Sequence, residues 1–264
     1  MTAPTTTEFD ILVVGGGISG VNSAYRISTL LPSSSFAVLE SRHELGGTWS
    51  QFKYPGVRSD SDLHTFGFPF NPWKSSNTIA SGESIRSYMN ETAEKFDLNK
   101  YIRCGHRVVA ADWRPEEQKW RLDVDISSGD GGEAKRVVYW TKWLILGTGY
   151  YSYEKPMKAR IEGLENFKGA VAHPQFWPKD LDYKDKKIVV IGSGATAISL
   201  LPALVDGGAK HVTQLQRSPT YIMSMPQAKP EDKTWLQSRL PSWLMSRWTR
   251  TYPLPHTIPT PNTP

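Results

Sequence analysis

Two glycine-rich turns carry the chemistry open to this sequence. Gly15-Gly16-Gly17-Ile18-Ser19-Gly20 is a G-x-G-x-x-G that follows an apolar run and opens a helical pattern; Gly192-Ser193-Gly194-Ala195-Thr196-Ala197 repeats the arrangement as G-x-G-x-x-A. Glycines at these spacings permit a tight strand-to-helix turn and let backbone N–H groups approach a diphosphate. The helix N-terminus adds unpaired donors and the positive end of its dipole. One such turn is a weak signal, but two in strand–helix context predict two dinucleotide cradles. The residue closing each cradle selects the nucleotide. Glu40 stands 25 positions after Gly15; a carboxylate there accepts hydrogen bonds from a ribose diol and repels a 2′-phosphate, which suits the adenosine of FAD or NAD. Arg217 stands the same 25 positions after Gly192, with Ser218 beside it. A guanidinium and a hydroxyl there can bind a 2′-phosphate by charge-assisted bonds, which suits NADP(H). Such a pair implies electron transfer from NADPH to a flavin.

The elements that must position these residues follow from periodicity. Phe9–Val14 is a β-branched apolar run and predicts a buried strand; Ile18–Leu31 has helical spacing stopped by Pro32, and Phe36–Leu39 predicts a second buried strand. This βαβ order predicts a parallel sheet. The stretch from Gly46 to Trp73 is rich in Gly, Pro, Ser and aromatics and predicts a long ordered loop of the kind that carries function. Ser81–Phe96 predicts a helix. Arg107–Trp113, Trp120–Ile126 and Arg136–Trp140 alternate and predict three antiparallel strands, followed by a separate buried strand at Trp143–Leu146. A second βαβ unit is predicted from a strand at Lys187–Ile191, a helix from Ala195 to about Val205 and a strand at His211–Gln216. The fold class expected is α/β, with two Rossmann-like domains of the FAD/NAD(P)-binding type. Residues 1–150 form the first, with an antiparallel insert at about 107–140; 151–184 form a linker, and 185–250 form the second. Tyr252–Pro264 holds five prolines in 13 positions, and residues 251–264 predict a disordered tail.

Composition excludes several classes. The chain has 264 residues, 39% hydrophobic and 22% charged, with a formal net charge of +5. That excess suits phosphate-bearing ligands but is too small and too dispersed for nucleic acid. The single cysteine, Cys104, excludes an intrachain disulfide, a flavin disulfide reductase and a Cys-rich metal site. No stretch of about 18 apolar residues predicts a membrane span, and the expected location is cytoplasmic. Trp235–Trp248 is read as a core-facing helix pair broken at Pro241 rather than as an interfacial membrane helix.

One more motif narrows the chemistry. Phe167-Lys168-Gly169-Ala170-Val171-Ala172-His173-Pro174-Gln175-Phe176-Trp177-Pro178 matches F-x-G-x-x-x-H-x-x-x-W-P/D and lies between the two glycine turns. It resembles the fingerprint of the Baeyer–Villiger monooxygenases. Gly46-Gly47-Thr48-Trp49 and Tyr54-Pro55-Gly56-Val57-Arg58-Ser59-Asp60 resemble that family's flavin-contacting loop. Arg58 to Trp73 and Gln216–Ile222 are most similar to the subgroup that includes the ethionamide-activating enzymes. The resemblance covers roughly Phe9 to Arg250.

The resemblance implies roles. Gly15, Gly17, Ser19 and Gly20 would cradle the FAD diphosphate, and Glu40 would hold its ribose. Thr48, Trp49 and Asp60 would line the flavin, with Arg58 and Ser59 close to the arriving nicotinamide. The backbone of Val108 would meet the adenine. Gly192, Ser193, Gly194, Ala195, Thr196 and Ala197, with Arg217 and Ser218, would hold NADP(H). His173 would act as a hinge residue rather than as an acid or base, although the local chemistry by itself favours a packed structural histidine. The reaction implied is NADPH- and O2-dependent insertion of oxygen into a ketone through a C4a-peroxyflavin. Oxidation of sulfur or nitrogen, as in a thioether, is the alternative, and a nucleotide-binding remnant without turnover is the non-enzymatic one.

The sequence also departs from the family, whose members are about twice as long. The similarity fails after about Arg250, and no residue here can be assigned the role of the arginine that stabilises the peroxyflavin near the Asp60 counterpart. These features suggest a truncated form, weak or inactive by itself. In it, the strand Phe9–Val14 is expected to lack sheet neighbours and to expose apolar surface.

Overall fold

The computed structural model describes residues 6–75, 77–129, 132–157, 159–222 and 244. In chain order its strands and helices are β1 (Thr6–Val14), α1 (Ile18–Leu30), β2 (Phe36–Leu39), α2 (Thr48–Gln51), α3 (Leu63–Phe66), α4 (Gly82–Lys95), β3 (Ile102–Arg103), β4 (His106–Arg114), β5 (Lys119–Ile126), β6 (Lys135–Leu146), β7 (Lys187–Ile191), α5 (Ala195–Asp206) and β8 (His211–Leu215). The tryptophan-rich helix pair, Leu244 aside, and the proline-rich tail lie outside the described residues.

An apolar run without alternation is hidden only where both faces of a sheet are covered, and β1 takes that place. The larger sheet has the order β3-β2-β1-β6-β5-β4. The pairs β3–β2, β2–β1 and β1–β6 are parallel; β6–β5 and β5–β4 are antiparallel. One face of β1 and β2 sends Ile11, Val13, Phe36 and Val38 against Val21, Ala24 and Ile27 of α1 and Ile85 and Met89 of α4. On the other face Leu12 and Leu39 meet Leu122, Val124, Val137 and Tyr139 of the antiparallel strands. Leu12, Val13, Val38, Leu122 and Val124 are fully buried, and each contributes roughly 1.5–3 kcal/mol by leaving water. The antiparallel insert is therefore half of the core that fixes the first glycine turn.

β1 does not lack neighbours, contrary to the expectation from sequence. It is flanked by β2 and β6 along its apolar length, in register Ile11↔Phe36 and Ile11↔Trp143 through Val14↔Leu39 and Val14↔Leu146. Both partners lie within this chain, so its edges are satisfied.

A second difference explains the first. The two strands expected at Arg136–Trp140 and Trp143–Leu146 are one continuous strand, β6. The polar pair Thr141-Lys142 looks like a break, but β1 satisfies it. Thr141 Oγ1 donates to the carbonyls of Asp10 (3.1 Å) and Trp143 (3.0 Å), and Lys142 Nζ lies 2.8 Å from Asp10 Oδ1. The same Asp10 carboxylate accepts from the N–H and hydroxyl of Ser35, pinning the entry to β2. Lys142 and Ser35 hold this carboxyl well below its usual range. The end of β6 is not buried as expected: Trp143 and Leu146 are 70% and 69% exposed.

The smaller sheet pairs β7 with β8 in parallel, Lys187↔His211 through Ile191↔Leu215. α5 covers one side with Ala197, Leu200 and Leu204, which pack on Val190 and on Phe52 and Tyr54 of the loop after α2. The outer side leaves Val189 of β7 61% and Leu215 of β8 57% exposed. The long loop from Gly46 is ordered, as expected, and contains the short helices α2 and α3.

Candidate functional site

The C-terminal ends of β1, β2 and β6 lie side by side. Gly15 N–H donates to Leu39 O and Gly147 N–H to Val14 O, each at 2.7 Å. In an open α/β sheet this is where ligands bind, because the chain leaves the sheet in opposite directions from β1. The first glycine turn occupies that point. Gly15 has φ +109°, and a side-chain carbon there would lie 2.3 Å from Gly147 O; one on Gly20 would lie 2.0 Å from Gly15 O. Both positions therefore require glycine. Gly17 caps α1 without any side-chain cap, and the first turn carries no acidic residue. The leading N–H groups of α1 are thus left for an anion.

Glu40 is 6% exposed and stands at the tip of β2 facing this turn. Its Oε2 accepts from Gly16 N–H at 2.6 Å and its Oε1 from Arg42 N–H at 2.8 Å. The carboxylate is thus fixed beside the cradle, where a ribose diol would compete for its oxygens. The loop after β2 folds back on the turn: Gly46 N–H donates to Gly16 O (3.2 Å), and α2 starts at Thr48 with Gly47 as its cap.

Beyond α2 the chain is held against the start of α4. Ser59 N–H donates to Ala80 O and Gly82 N–H to Val57 O, both at 2.9 Å. A side-chain carbon on Gly82 would touch Val57 and, at 3.6 Å, Trp49. The start of α4 therefore gathers Trp49, Val57, Arg58 and Ser59. Arg58 and Asp60 form an exposed ion pair at 2.9 Å, and the Ser59 hydroxyl is engaged in its own turn with Ser61. Val108 lies on β4 opposite Val124, next to a bulge between Val108 and Ala110.

The second cradle differs in being open. Gly192 has φ +128°, whereas Gly194 has φ −75° and ψ 176°, which any residue adopts; a side-chain carbon at either would meet nothing within 4 Å. Gly194 caps α5 with no side-chain cap. The chain leaving β8 is fastened to this turn: Leu215 O accepts from Gly192 N–H (2.9 Å), Ser218 O accepts from the Ser193 hydroxyl (3.2 Å), and Thr220 Oγ1 donates to Ser193 O. Exposed Arg217 and Ser218 are thereby brought to the rim of Gly192–Ser193. Ala195 and Thr196 form the first turn of α5, and Ala197 is buried against the sheet.

His173 is exposed rather than packed. Its Nδ1 accepts from Gln175 N–H at 3.2 Å and caps the short turn Pro174–Phe176.

Several contacts at the site left no sequence signal. Arg42 donates to Gly47 O (3.3 Å) and Ser50 O (3.2 Å) and pairs with Glu44 (2.7 Å), clamping the returning loop. Tyr54 Oη lies 3.2 Å from the Ser199 hydroxyl, and a side-chain carbon on Gly56 (φ +81°) would strike Ser199 O. The first loop thus abuts α5. Tyr153 reaches Thr48 and Gly47. All of these contacts depend on loops folding back across long separations.

An α/β sheet with a glycine turn at its switch point, a carboxylate closing it and a second, base-flanked turn defines a Rossmann-type nucleotide-binding protein. The chain belongs to the flavin-binding monooxygenase-like family, whose model matches residues 9–254. It is 49% identical over 225 residues to the FAD-containing monooxygenase EthA of Mycolicibacterium smegmatis, covering 85% of this chain and 44% of that protein. Cyclohexanone monooxygenase from Rhodococcus sp. Phi1, solved bound to NADP+, is similar in structure with a TM-score of 0.65 and 27% identity, covering 82% of this chain and 39% of that one. OTEMO in complex with FAD and NADP gives a TM-score of 0.70 at 26% identity, covering 90% and 44%. The chain thus spans less than half the length of the relatives it matches. Among the described residues no helix is long and apolar enough to cross a membrane.

Proposed function

We propose that this chain carries the FAD and NADP(H) sites of a monooxygenase that inserts one oxygen atom of O2 beside the carbonyl of a ketone. The observation that carries the reading is the acid–base contrast: buried Glu40 at the first glycine turn and exposed Arg217 at the second. The residues fit both groups, since each turn ends in an uncapped helix and the second has room where a glycine has no side chain. In this reading residues 1–150 are the FAD-binding part, 151–184 a linker and 185–250 the NADP-binding part.

Bound FAD would supply the redox chemistry, accepting electrons from NADPH and activating O2. The chain's own residues bind and orient. Gly15, Gly17, Ser19 and Gly20 present backbone donors to one diphosphate, and Glu40 accepts from the ribose. Thr48, Trp49 and Asp60 border the flavin, with Arg58 neutralising Asp60 and Ser59 holding the turn between them. Val108 meets the adenine through its backbone. Gly192, Ser193, Gly194, Ala195 and Thr196 receive the second diphosphate, with Arg217 and Ser218 on its 2′-phosphate. His173 sets the geometry of the linker through its cap on the turn at Pro174.

The fingerprint from Phe167 to Pro178 and the likeness to ketone monooxygenases favour the ketone. Sulfur or nitrogen oxidation is the second reading, supported by the resemblance of Arg58 to Trp73 and Gln216–Ile222 to the ethionamide-activating subgroup. The chain should take up FAD and NADPH. Fusing it to the remaining length of the M. smegmatis relative and measuring NADPH oxidation with cyclohexanone against a thioether separates the two. A folded chain that is colourless after incubation with excess FAD and removal of the free flavin rules out the flavin assignment.

A further inference from the structure

We propose that Tyr153 contacts the dinucleotide held at the first cradle, and that Gln175, inside the fingerprint segment, positions it. The inference rests on the FAD reading of that cradle and extends it to two residues that lie outside both glycine turns. Tyr153 lies beyond β6, yet its phenol turns back to the gap between the two glycine segments. A side-chain carbon on Gly47 would lie 3.6 Å from Tyr153 Oη and 3.0 Å from the Cα of Gly17. Thr48 lies beside that phenol, and the Arg42 guanidinium lies 6.0 Å from the ring centroid. Burial and the nearby Glu40 carboxylate push the phenol up, so it is protonated at neutral pH and available as a donor. A hydroxyl donor at the Gly17–Gly47 gap is chemically matched to the oxygens of a diphosphate or ribose.

What holds Tyr153 there comes from the linker. The Gln175 side-chain amide, 6% exposed, donates to the carbonyl of Ser152, the residue before Tyr153. Gln175 N–H is in turn held by His173. On the other flank Glu154 pairs with Arg107 of β4, the neighbour of Val108. The segment Ser152–Glu154 is therefore a strap across the cradle, tied at one end to the fingerprint and at the other to the antiparallel insert.

The test is a double-mutant cycle read as FAD affinity of the full chain, by quenching of flavin fluorescence. Tyr153→Phe should weaken FAD roughly three- to tenfold, the loss of one net hydrogen bond. Gln175→Met, which keeps the volume and removes the donor, should give a similar loss. In the Tyr153→Phe background Gln175→Met should add less than about twofold, because the two act through one contact. NADPH affinity should be unchanged in all three. If Gln175→Met lowers the melting temperature, Gln175→Glu, which sets a carboxylate against the Ser152 carbonyl, replaces it in the cycle. Wild-type affinity in Tyr153→Phe, or losses that multiply fully in the double variant, overturns the inference. Loss of FAD in Glu40→Ala alongside an unaffected Tyr153→Phe leaves the FAD reading standing and this inference refuted. A wild-type chain that takes up no FAD overturns both.

Discussion

The two glycine turns make opposite demands on an added methyl group, which can be worked out from the structure. In Gly194→Ala the new carbon meets nothing within 4 Å, and φ −75° with ψ 176° is open to alanine. The folding cost is that of a poorer helix cap, about 0.5 kcal/mol. Binding is another matter. A diphosphate oxygen hydrogen-bonded to the turn sits about 2.9 Å from a backbone nitrogen, whereas a methyl carbon requires roughly 3.5–4 Å. The phosphate must retreat, losing one charge-assisted bond at about 1.5–3 kcal/mol. NADPH affinity should fall roughly ten- to hundredfold, with a melting temperature within about 2 °C of wild type. In Gly20→Ala the carbon falls 2.0 Å from Gly15 O and 3.3 Å from Val38 Cγ1. Backbone must move at the centre of the sheet, at about 1–3 kcal/mol or more, so the melting temperature itself should drop. Isothermal titration with NADPH beside thermal unfolding reads both variants. A Gly194→Ala chain that folds normally and binds NADPH like wild type refutes the placement of the diphosphate at that turn.

Further expectations follow from the same contacts. Arg217→Ala should weaken NADPH far more than NADH, measured by titration with each; equal losses would refute a 2′-phosphate contact. Asp10→Asn should lower the melting temperature at pH 7, because Lys142 and Ser35 bind the charged carboxylate. The folded-state value lies below the ordinary 3.8, so this stabilisation is present above that value and lost as pH falls through the folded-state one. Melting temperatures of variant and wild type should therefore differ by a constant amount from pH 7 to about 4 and begin to converge only below it, and a gap that closes above pH 4 or does not narrow at all below it would contradict the assignment. The Cys104 thiol is pushed up by burial and then by the charge of Glu40. Glu40→Gln should thus speed its alkylation by iodoacetamide at pH 8, and an unchanged or slower rate would show that the two do not face each other.

Much of the fold was legible from local pattern. The runs at Phe36–Leu39 and around Phe9–Val14 declare strands because nothing but a covered sheet hides an unbroken apolar segment. The glycine turns declare themselves because only glycine tolerates φ +109° at Gly15 and φ +128° at Gly192. Glu40 and Arg217 could be picked by counting, since the path from turn to next strand tip has a fixed length in a βαβ unit. Tertiary structure decided what depends on partners distant in sequence. Thr141 and Lys142 do not break β6, because Asp10 on another strand satisfies them. β1 is not bare, because β6 runs its whole apolar length. His173 is an exposed cap rather than a packed ring. Arg42, Tyr153 and Gln175 meet the candidate site only because loops return to it, and such contacts leave no periodicity in the chain. The sequence by itself determined where an anion could be cradled; only the folded chain decided which side chains close around it, because closure is made by contacts across the fold, while cradling depends on backbone geometry that a few adjacent residues dictate.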